Sequence, residues 1–183
     1  MKRLFQALML CFVSITFVYS QEYRVENGMV FMEKVIPTEM TIDQAHDALE
    51  TFFARVYGDS NRTNKLNSSN HLIYIGIYKN IASYGTGIWH LHANHNIDVL
   101  FKEGRCKVKI SCDVIEMDNT QNPSRYSYKV ADYVPFTDVY KMSTGAPKST
   151  VTKAGIELVN RMNETMSGIE KTLQQKPAAE EDW

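Results

Sequence analysis

An alternation of apolar and polar residues between Asn96 and Ile110 constrains this chain more than any other feature. A two-residue turn at Glu103-Gly104, where glycine can adopt a positive φ, sets the register of a β-hairpin. One side of this hairpin then carries only apolar pairs: Phe101–Cys106, Val99–Val108 and Ile97–Ile110. The other side is largely polar: Lys102–Arg105, Leu100–Lys107 and Asp98–Lys109. Because a slip of one residue would expose the apolar set, the pattern predicts a sheet with one covered and one open face.

The residues before this hairpin predict two further strands, His71–Tyr78 and Ile88–His92, after a polar loop over residues 59–70. A three-residue turn at Ala93–His95 would place Trp89 and Leu91 on the apolar face. Burying these two side chains is favourable by roughly 1.5–3 kcal/mol each, so this turn is preferred over a two-residue one. The same turn would place His90 opposite Asp98.

Two amphipathic segments predict helices that cover one face of the sheet. The first follows a strand over residues 29–36 and begins at Thr41, whose hydroxyl forms a capping box with Gln44. It carries Phe52 and Phe53 on its apolar face, and Gly58 ends it. The second lies before residue 174, with Ser149 or Thr150 as its cap. Its apolar stripe recurs at helical spacing: Val151, Ala154, Leu158, Met162, Met166, Ile169 and Leu173.

The first twenty residues have the layout of a cleaved secretory signal peptide. Lys2 and Arg3 precede an uncharged apolar run, and Val18 and Ser20 occupy the −3 and −1 positions before a cleavage site. An uncleaved membrane anchor is the alternative. We therefore expect an exported protein, with one domain over residues 21–174, no transmembrane span after cleavage, and a disordered tail over residues 175–183.

Charge and cysteine content exclude several classes of protein. The formal net charge is −1, and loss of Lys2 and Arg3 with the leader would make it −3, which disfavours nucleic acid as a partner. Beyond the leader the cysteines are Cys106 and Cys112. Six residues apart on one strand, they lie roughly 20 Å apart, too far for a disulfide. We expect two buried thiols.

The predicted order of elements, β-α-β-β-β-β-α, is an α+β arrangement that resembles the TBP-like fold. The leader, the strand Val30–Ile36, the Phe52-Phe53 helix and the Phe101–Arg105 hairpin together resemble DUF4468, an exported family of unknown function from Gram-negative gut bacteria. The family turn is usually Lys-Asp-Gly-Lys/Arg followed by an aromatic residue, whereas Glu103 and Cys106 stand here. The resemblance implies a TBP-like fold and a periplasmic or envelope-associated location. It supplies no catalytic residues.

Histidines provide the most suggestive chemistry in the chain. His90 and His92 share one face of a strand, and with Asp98 they could bind zinc. The alternative is that both are exposed sheet residues. His95 faces Cys112 in the predicted register, but a nucleophilic pair is disfavoured because a buried thiol is inert.

No phosphate-binding loop, nucleophile elbow or other catalytic motif is visible, so we do not expect an enzyme and no cofactor is implied. Lys102, Lys107, Lys109 and Arg105 form a basic patch on the open face. Tyr126 and Tyr128 lie in a tyrosine-rich stretch over residues 124–140 that could add an edge strand. The preferred hypothesis is a non-enzymatic module that binds an unknown protein, glycan or small ligand through these two regions. A metal-binding protein that uses His90 and His92 is the second hypothesis.

Overall fold

Seven antiparallel strands and two helices make up the part of the chain that the structure, a computed structural model, describes: residues 23–58, 64–121, 125–130 and 146–175. In chain order the elements are β1 (Arg24–Glu26), β2 (Met29–Pro37), α1 (Ile42–Tyr57), β3 (Asn64–Ser68), β4 (His71–Tyr84), β5 (Trp89–Lys102), β6 (Arg105–Asn119), β7 (Arg125–Lys129) and α2 (Lys148–Leu173). The strands form one sheet in the order β1-β2-β6-β5-β4-β3, and β7 also pairs with β6. The α+β class expected from the sequence is confirmed.

The predicted hairpin forms in the predicted register. All six facing pairs between residues 97 and 110 occur between β5 and β6, from Lys102–Arg105 to Ile97–Ile110. Gly104 adopts a φ of 75°, which places it in the left-handed region that the turn requires. Val99 and Val108 are fully buried, whereas Lys107 is exposed. Alternation along two strands therefore separates a covered face from an open one.

Both helices pack on the covered face and against each other. Thr41 and Gln44 form the expected capping box, and Gly58 ends α1. Phe52 and Phe53 are buried, and every residue of the α2 stripe is buried as well. The predicted cap of α2 is wrong: Ser149 and Thr150 already lie within the helix, since the Thr150 N–H donates to the carbonyl of Pro147, the capping residue.

The turn predicted at Ala93–His95 does not exist, because β5 is one continuous strand of 14 residues. The alternation simply continues through Leu91, Ala93 and His95, all of which are buried. A bulge in β6 follows the pair His95–Cys112. As a result His90 faces Asp118, not Asp98. Trp89 lies on the covered side as expected but is only partly buried, because it stacks on Tyr84 beyond the main core.

Two short strands were not predicted. Residues 64–68, expected to be loop, form the edge strand β3, which pairs with β4 over residues 71–74. Residues 24–26 form β1 through a turn at Asn27-Gly28, where both residues have positive φ, as a type I′ hairpin requires. The expected edge strand near Tyr126 is β7.

Some predictions fall on residues that are not described. The leader over residues 1–20, the stretch over residues 131–145, and the tail beyond residue 175 lie outside the described residues. Cys106 and Cys112 are free and buried, as expected. Among the described segments, neither helix combines the length and apolarity needed to cross a membrane.

Candidate functional site

The open face of the sheet is basic at the end that lies near the Glu103-Gly104 turn. Lys102 and Arg105 face each other beside the turn, and Lys107 and Lys109 follow on the same side of β6. Val35 reaches the same row because β2 pairs with β6 and sets Val35 opposite Lys107. Because of this pairing, Val35 lies beside the cations of the hairpin although it is far from them in sequence.

Five residues of this basic end surround a cavity of about 260 Å³, which we call the basic pocket: Val35, Leu100, Lys102, Arg105 and Lys107. Val35 is 54% exposed and Leu100 is 42% exposed, so two aliphatic side chains lie open to solvent between the cations. Lys107 Nζ pairs with Glu33 Oε2 at 3.1 Å. Among the described residues, Lys102 and Arg105 have no acidic partner.

Lys109, a predicted binding residue, lies next to the basic pocket but has a separate role. Its Nζ sits 4.9 Å from the ring centroid of Phe31, and the guanidinium of Arg24 lies 5.4 Å from the same ring. Phe31 is therefore buried on an otherwise open face by two cation–π contacts. Of the four basic residues in the predicted patch, the structure brings Lys102, Arg105 and Lys107 into the pocket and leaves Lys109 outside.

Tyr126 and Tyr128 do not join the basic residues on one surface. They pair with Met117 and Ile115, so their side chains project from the covered side of the sheet. Tyr126 is 46% exposed, and its ring contacts that of Trp89 at 5.9 Å between centroids. The two candidate binding regions therefore lie on opposite sides of the sheet.

The predicted metal ligands are not all brought together. His71 Nε2 lies 2.9 Å from Asp98 Oδ1, and Asp98 is six residues along the strand from His92, roughly 20 Å away. The carboxylate beside His92 is that of Asp118, 3.2 Å from Nε2. A metal site of His90 and His92 stays a prediction.

The hydrogen bonding of His92 counts against metal binding through Nε2. The backbone N–H of Asn80 donates to His92 Nδ1 at 3.1 Å, so the neutral ring carries its proton on Nε2. A metal-bound imidazole instead donates its second N–H to an acceptor. A metal at Nε2 of His92 would therefore move the ring proton to Nδ1. There it would face the Asn80 N–H, which is also a donor.

Sequence reasoning missed one group of potential ligands on α1. His46 Nδ1 lies 3.7 Å from Asp47 Oδ1 and 4.0 Å from Glu50 Oε2. Within the described part of the chain, these three residues form a group whose potential metal-ligand atoms all lie within 4.8 Å of one another. The sequence signal for this group is a histidine on a predicted helix, followed by acidic residues one and four positions later. Asp47 is exposed to water, and nothing in the described structure points to an ion there.

Among the described residues, His95 is a deeply buried polar side chain, at 1% exposure. Its ring stacks on Tyr78 at 3.7 Å between centroids, and its Nε2 hydrogen-bonds the Tyr57 hydroxyl at 2.8 Å. Burial lowers the pKa of His95 to about 4 and raises the pKa of Tyr57 to about 12. The ring is therefore neutral at pH 7, and it belongs to the core.

His95 and Cys112 face each other as predicted, but they do not form a nucleophilic pair. The Cys112 thiol donates to the Asn94 carbonyl at 2.8 Å. Burial raises the pKa of this thiol far above its usual range. A thiol that stays protonated is neither a nucleophile nor a metal ligand.

A larger cavity of about 610 Å³ lies beside this buried cluster, lined in part by Val56, Tyr57, Gly76 and Arg161. Val56 is exposed at the rim of this cavity. Two cations line this cavity, Arg161 and Lys79. Arg161 pairs with Glu157 at 2.9 Å and with Glu164 at 3.7 Å. The basic pocket, with three cations, is the more basic of the two cavities.

Comparison with known proteins yields relatives by structure alone. No protein-family model and no curated protein matches the sequence. A DUF4468 family protein from Bacteroides ovatus superposes with a TM-score of 0.58 at 16% identity, covering 87% of this chain and 93% of that one. A TBP-like protein from Parabacteroides distasonis superposes with a TM-score of 0.60 at 12% identity, covering 82% of this chain and 98% of that one. The chain therefore has the fold of the DUF4468 and TBP-like proteins, as its sequence resemblance implied.

Proposed function

We propose that this protein is an exported, non-enzymatic binding module that holds an anionic ligand in the basic pocket. One observation carries the proposal: Lys102 and Arg105 flank two exposed aliphatic side chains and have no acidic partner among the described residues. Lys34 and Arg161, by contrast, are each paired with a carboxylate. Unpaired cations around an apolar floor favour a ligand that is anionic and partly apolar.

The other parts of the proposal rest on separate observations. Export is supported by the leader-like first twenty residues. A non-enzymatic role is supported by the chemistry of the reactive groups: both described thiols are buried, and His95 is a neutral core residue. The two structural relatives are described by family and fold only, so they lend no ligand to this chain.

Binding of a fluorescein-labelled hexaglutamate peptide, followed by fluorescence anisotropy, tests the proposed function. Lys102→Glu/Arg105→Glu should weaken binding about ten-fold or more, because two attractive charges become repulsive. The matched control, Lys153→Glu/Lys171→Glu, makes the same change of net charge at exposed positions on α2 and should leave affinity within about two-fold. Equal losses in both variants would show that net charge alone drives binding and would refute the pocket.

A further inference from the structure

A row of four side chains crosses the open face from the basic pocket to the next strand. Val35 on β2 lies opposite Lys107 on β6, which in turn lies opposite Leu100 on β5. Leu100 lies opposite His71 on β4. Neighbouring strands are about 4.8 Å apart, so the row is roughly 14 Å long. His71 therefore extends the surface of the basic pocket by one strand.

Asp98 orients the His71 ring at this end of the row. His71 Nε2 lies 2.9 Å from Asp98 Oδ1, and the histidine side chain is 27% exposed. Because a carboxylate can only accept a hydrogen bond, the proton of the neutral ring lies on Nε2, and Nδ1 keeps its lone pair. Among the described residues no group hydrogen-bonds His71 Nδ1. His71 thus offers an oriented acceptor to a ligand that carries hydroxyl groups.

The rest of the surface supplies apolar contact and positive charge. The two aliphatic side chains of the basic pocket are exposed between the cations. Lys107 is already paired with Glu33, so we do not count it among the charges that are open to a ligand. Lys102 and Arg105 lie two residues from Leu100 and Lys107, so they project from the same face of the sheet. A ligand of this surface therefore meets two cations, an aliphatic floor and one acceptor.

We infer that the basic pocket and His71 together bind an anionic sugar, which is a hydroxylated ring that bears a carboxylate or a sulfate group. The anionic group binds Lys102 and Arg105, the C–H groups of the ring pack on the aliphatic floor, and a ring hydroxyl donates to His71 Nδ1. The inference rests on the proposed function, since it uses the same pocket, and it narrows the ligand to one chemical class.

A sugar suits this surface better than an acidic peptide does. Leu100 and Lys107 lie on the central strands β5 and β6, whose backbone groups are paired with strands on both sides. Recognition of an extended peptide by strand addition needs an open sheet edge, and this part of the face has none among the described strands. A sugar ring is rigid and loses little conformational entropy when it binds a rigid face.

Fluorescence anisotropy with labelled oligosaccharides tests the inference. Tetragalacturonate carries carboxylates, and a sulfated dextran oligosaccharide carries sulfates, so the two probes distinguish the anionic groups. Their neutral counterparts, the methyl ester and unsulfated dextran, keep ring hydroxyls. The native chain should bind at least one charged probe ten-fold or more tightly than its neutral counterpart. Binding of neither charged probe, or equal binding of charged and neutral forms, would overturn the inference.

His71→Ala separates the hydroxyl acceptor from the cations. This variant should bind the charged sugar about five-fold more weakly, because one hydrogen bond is lost, and should bind hexaglutamate within about two-fold of the native chain. His90→Ala is the matched control, since His90 lies on the same face at the other end and also faces an aspartate, Asp118. It should leave both affinities unchanged. An unaltered sugar affinity in His71→Ala, or an equal loss for both probes, would contradict the role of His71 as acceptor.

The comparison with hexaglutamate distinguishes failure of the inference from failure of the proposed function. Hexaglutamate binding without sugar binding would sink the inference, leave the proposed function standing and favour an acidic peptide as ligand. No binding of any charged probe would contradict both. Sugar binding that Lys102→Glu/Arg105→Glu abolishes would support both, even if hexaglutamate does not bind, and would confine the pocket to anionic sugars.

Discussion

The two faces of the sheet are built from the same strands but differ in the surroundings of their polar groups. On the covered face, His95 Nε2 hydrogen-bonds Tyr57, and Tyr78 hydrogen-bonds Thr165 at 2.9 Å, so these groups are paired across elements. On the open face, the cations of the basic pocket are left facing solvent. Paired groups in a core hold the fold together, whereas unpaired surface charges are available to a ligand. The covered face therefore supplies stability, and the open face carries the proposed binding surface.

The largest expected effect on stability comes from placing an aspartate at one of two neighbouring positions that lie on opposite faces of the sheet. Val108→Asp places an unpaired carboxylate in the core and should cost several kcal/mol, enough to unfold much of the population. Lys107→Asp, one residue away on the open face, loses an exposed ion pair and should cost at most about 1 kcal/mol. Urea unfolding followed by circular dichroism measures both. Similar losses in the two variants would contradict the division between faces.

Gly76→Ala tests how tightly the covered face is packed around His95. An added Cβ would lie 2.6 Å from His95 Cε1 and 2.8 Å from Tyr57 Cε1, closer than side chains tolerate. We expect a loss of up to about 3 kcal/mol in the free energy of unfolding. In Gly76→Ala/His95→Ala the two losses should be less than additive, because the clash with the ring is gone. Additive losses would show that Gly76 and His95 are independent.

The pH dependence of stability should report the burial of His95. In the folded protein its pKa is lowered to about 4, so the unfolded chain binds the proton more readily between pH 4 and the ordinary value of 6.5. Stability is therefore fully present above pH 6.5 and falls as the pH decreases toward 4.

Between pH 7 and pH 5 the loss attributable to His95 should be about 2 kcal/mol. Urea titrations of the native chain and of His95→Gln at both pH values isolate this contribution, because glutamine does not titrate. The difference between pH 7 and pH 5 should shrink by that amount in His95→Gln. An unchanged difference would show that His95 is not the group that titrates.

Much of the fold could be predicted because its central hairpin is specified locally. The alternation between residues 97 and 110 and the glycine turn fix both register and facing, and the capping box at Thr41 marks the start of α1. The strand β1 could also have been predicted, since Asn27-Gly28 is a strong signal for a type I′ hairpin turn. These features depend on residues close together in the chain.

What could not be predicted depends on contacts between distant residues. The continuity of β5 through His95 depends on Tyr57 from α1 and Tyr78 from β4, which pair with a ring that would otherwise be costly to bury. The basic patch was visible in the sequence, but its apolar floor needs Val35, which reaches it only through the pairing of β2 with β6. Likewise, Tyr126 could not be assigned to the covered side until β7 was paired with Met117.

Amide chemical-shift mapping tests the central claim most directly, that the basic end of the open face is the binding surface. Unlabelled hexaglutamate is titrated into the ¹⁵N-labelled protein. The account predicts saturable shifts centred on Val35, Leu100 and the residues from Lys102 to Lys107. Shifts centred instead on Tyr84, Trp89 and Tyr126, or no saturable shifts, would contradict it.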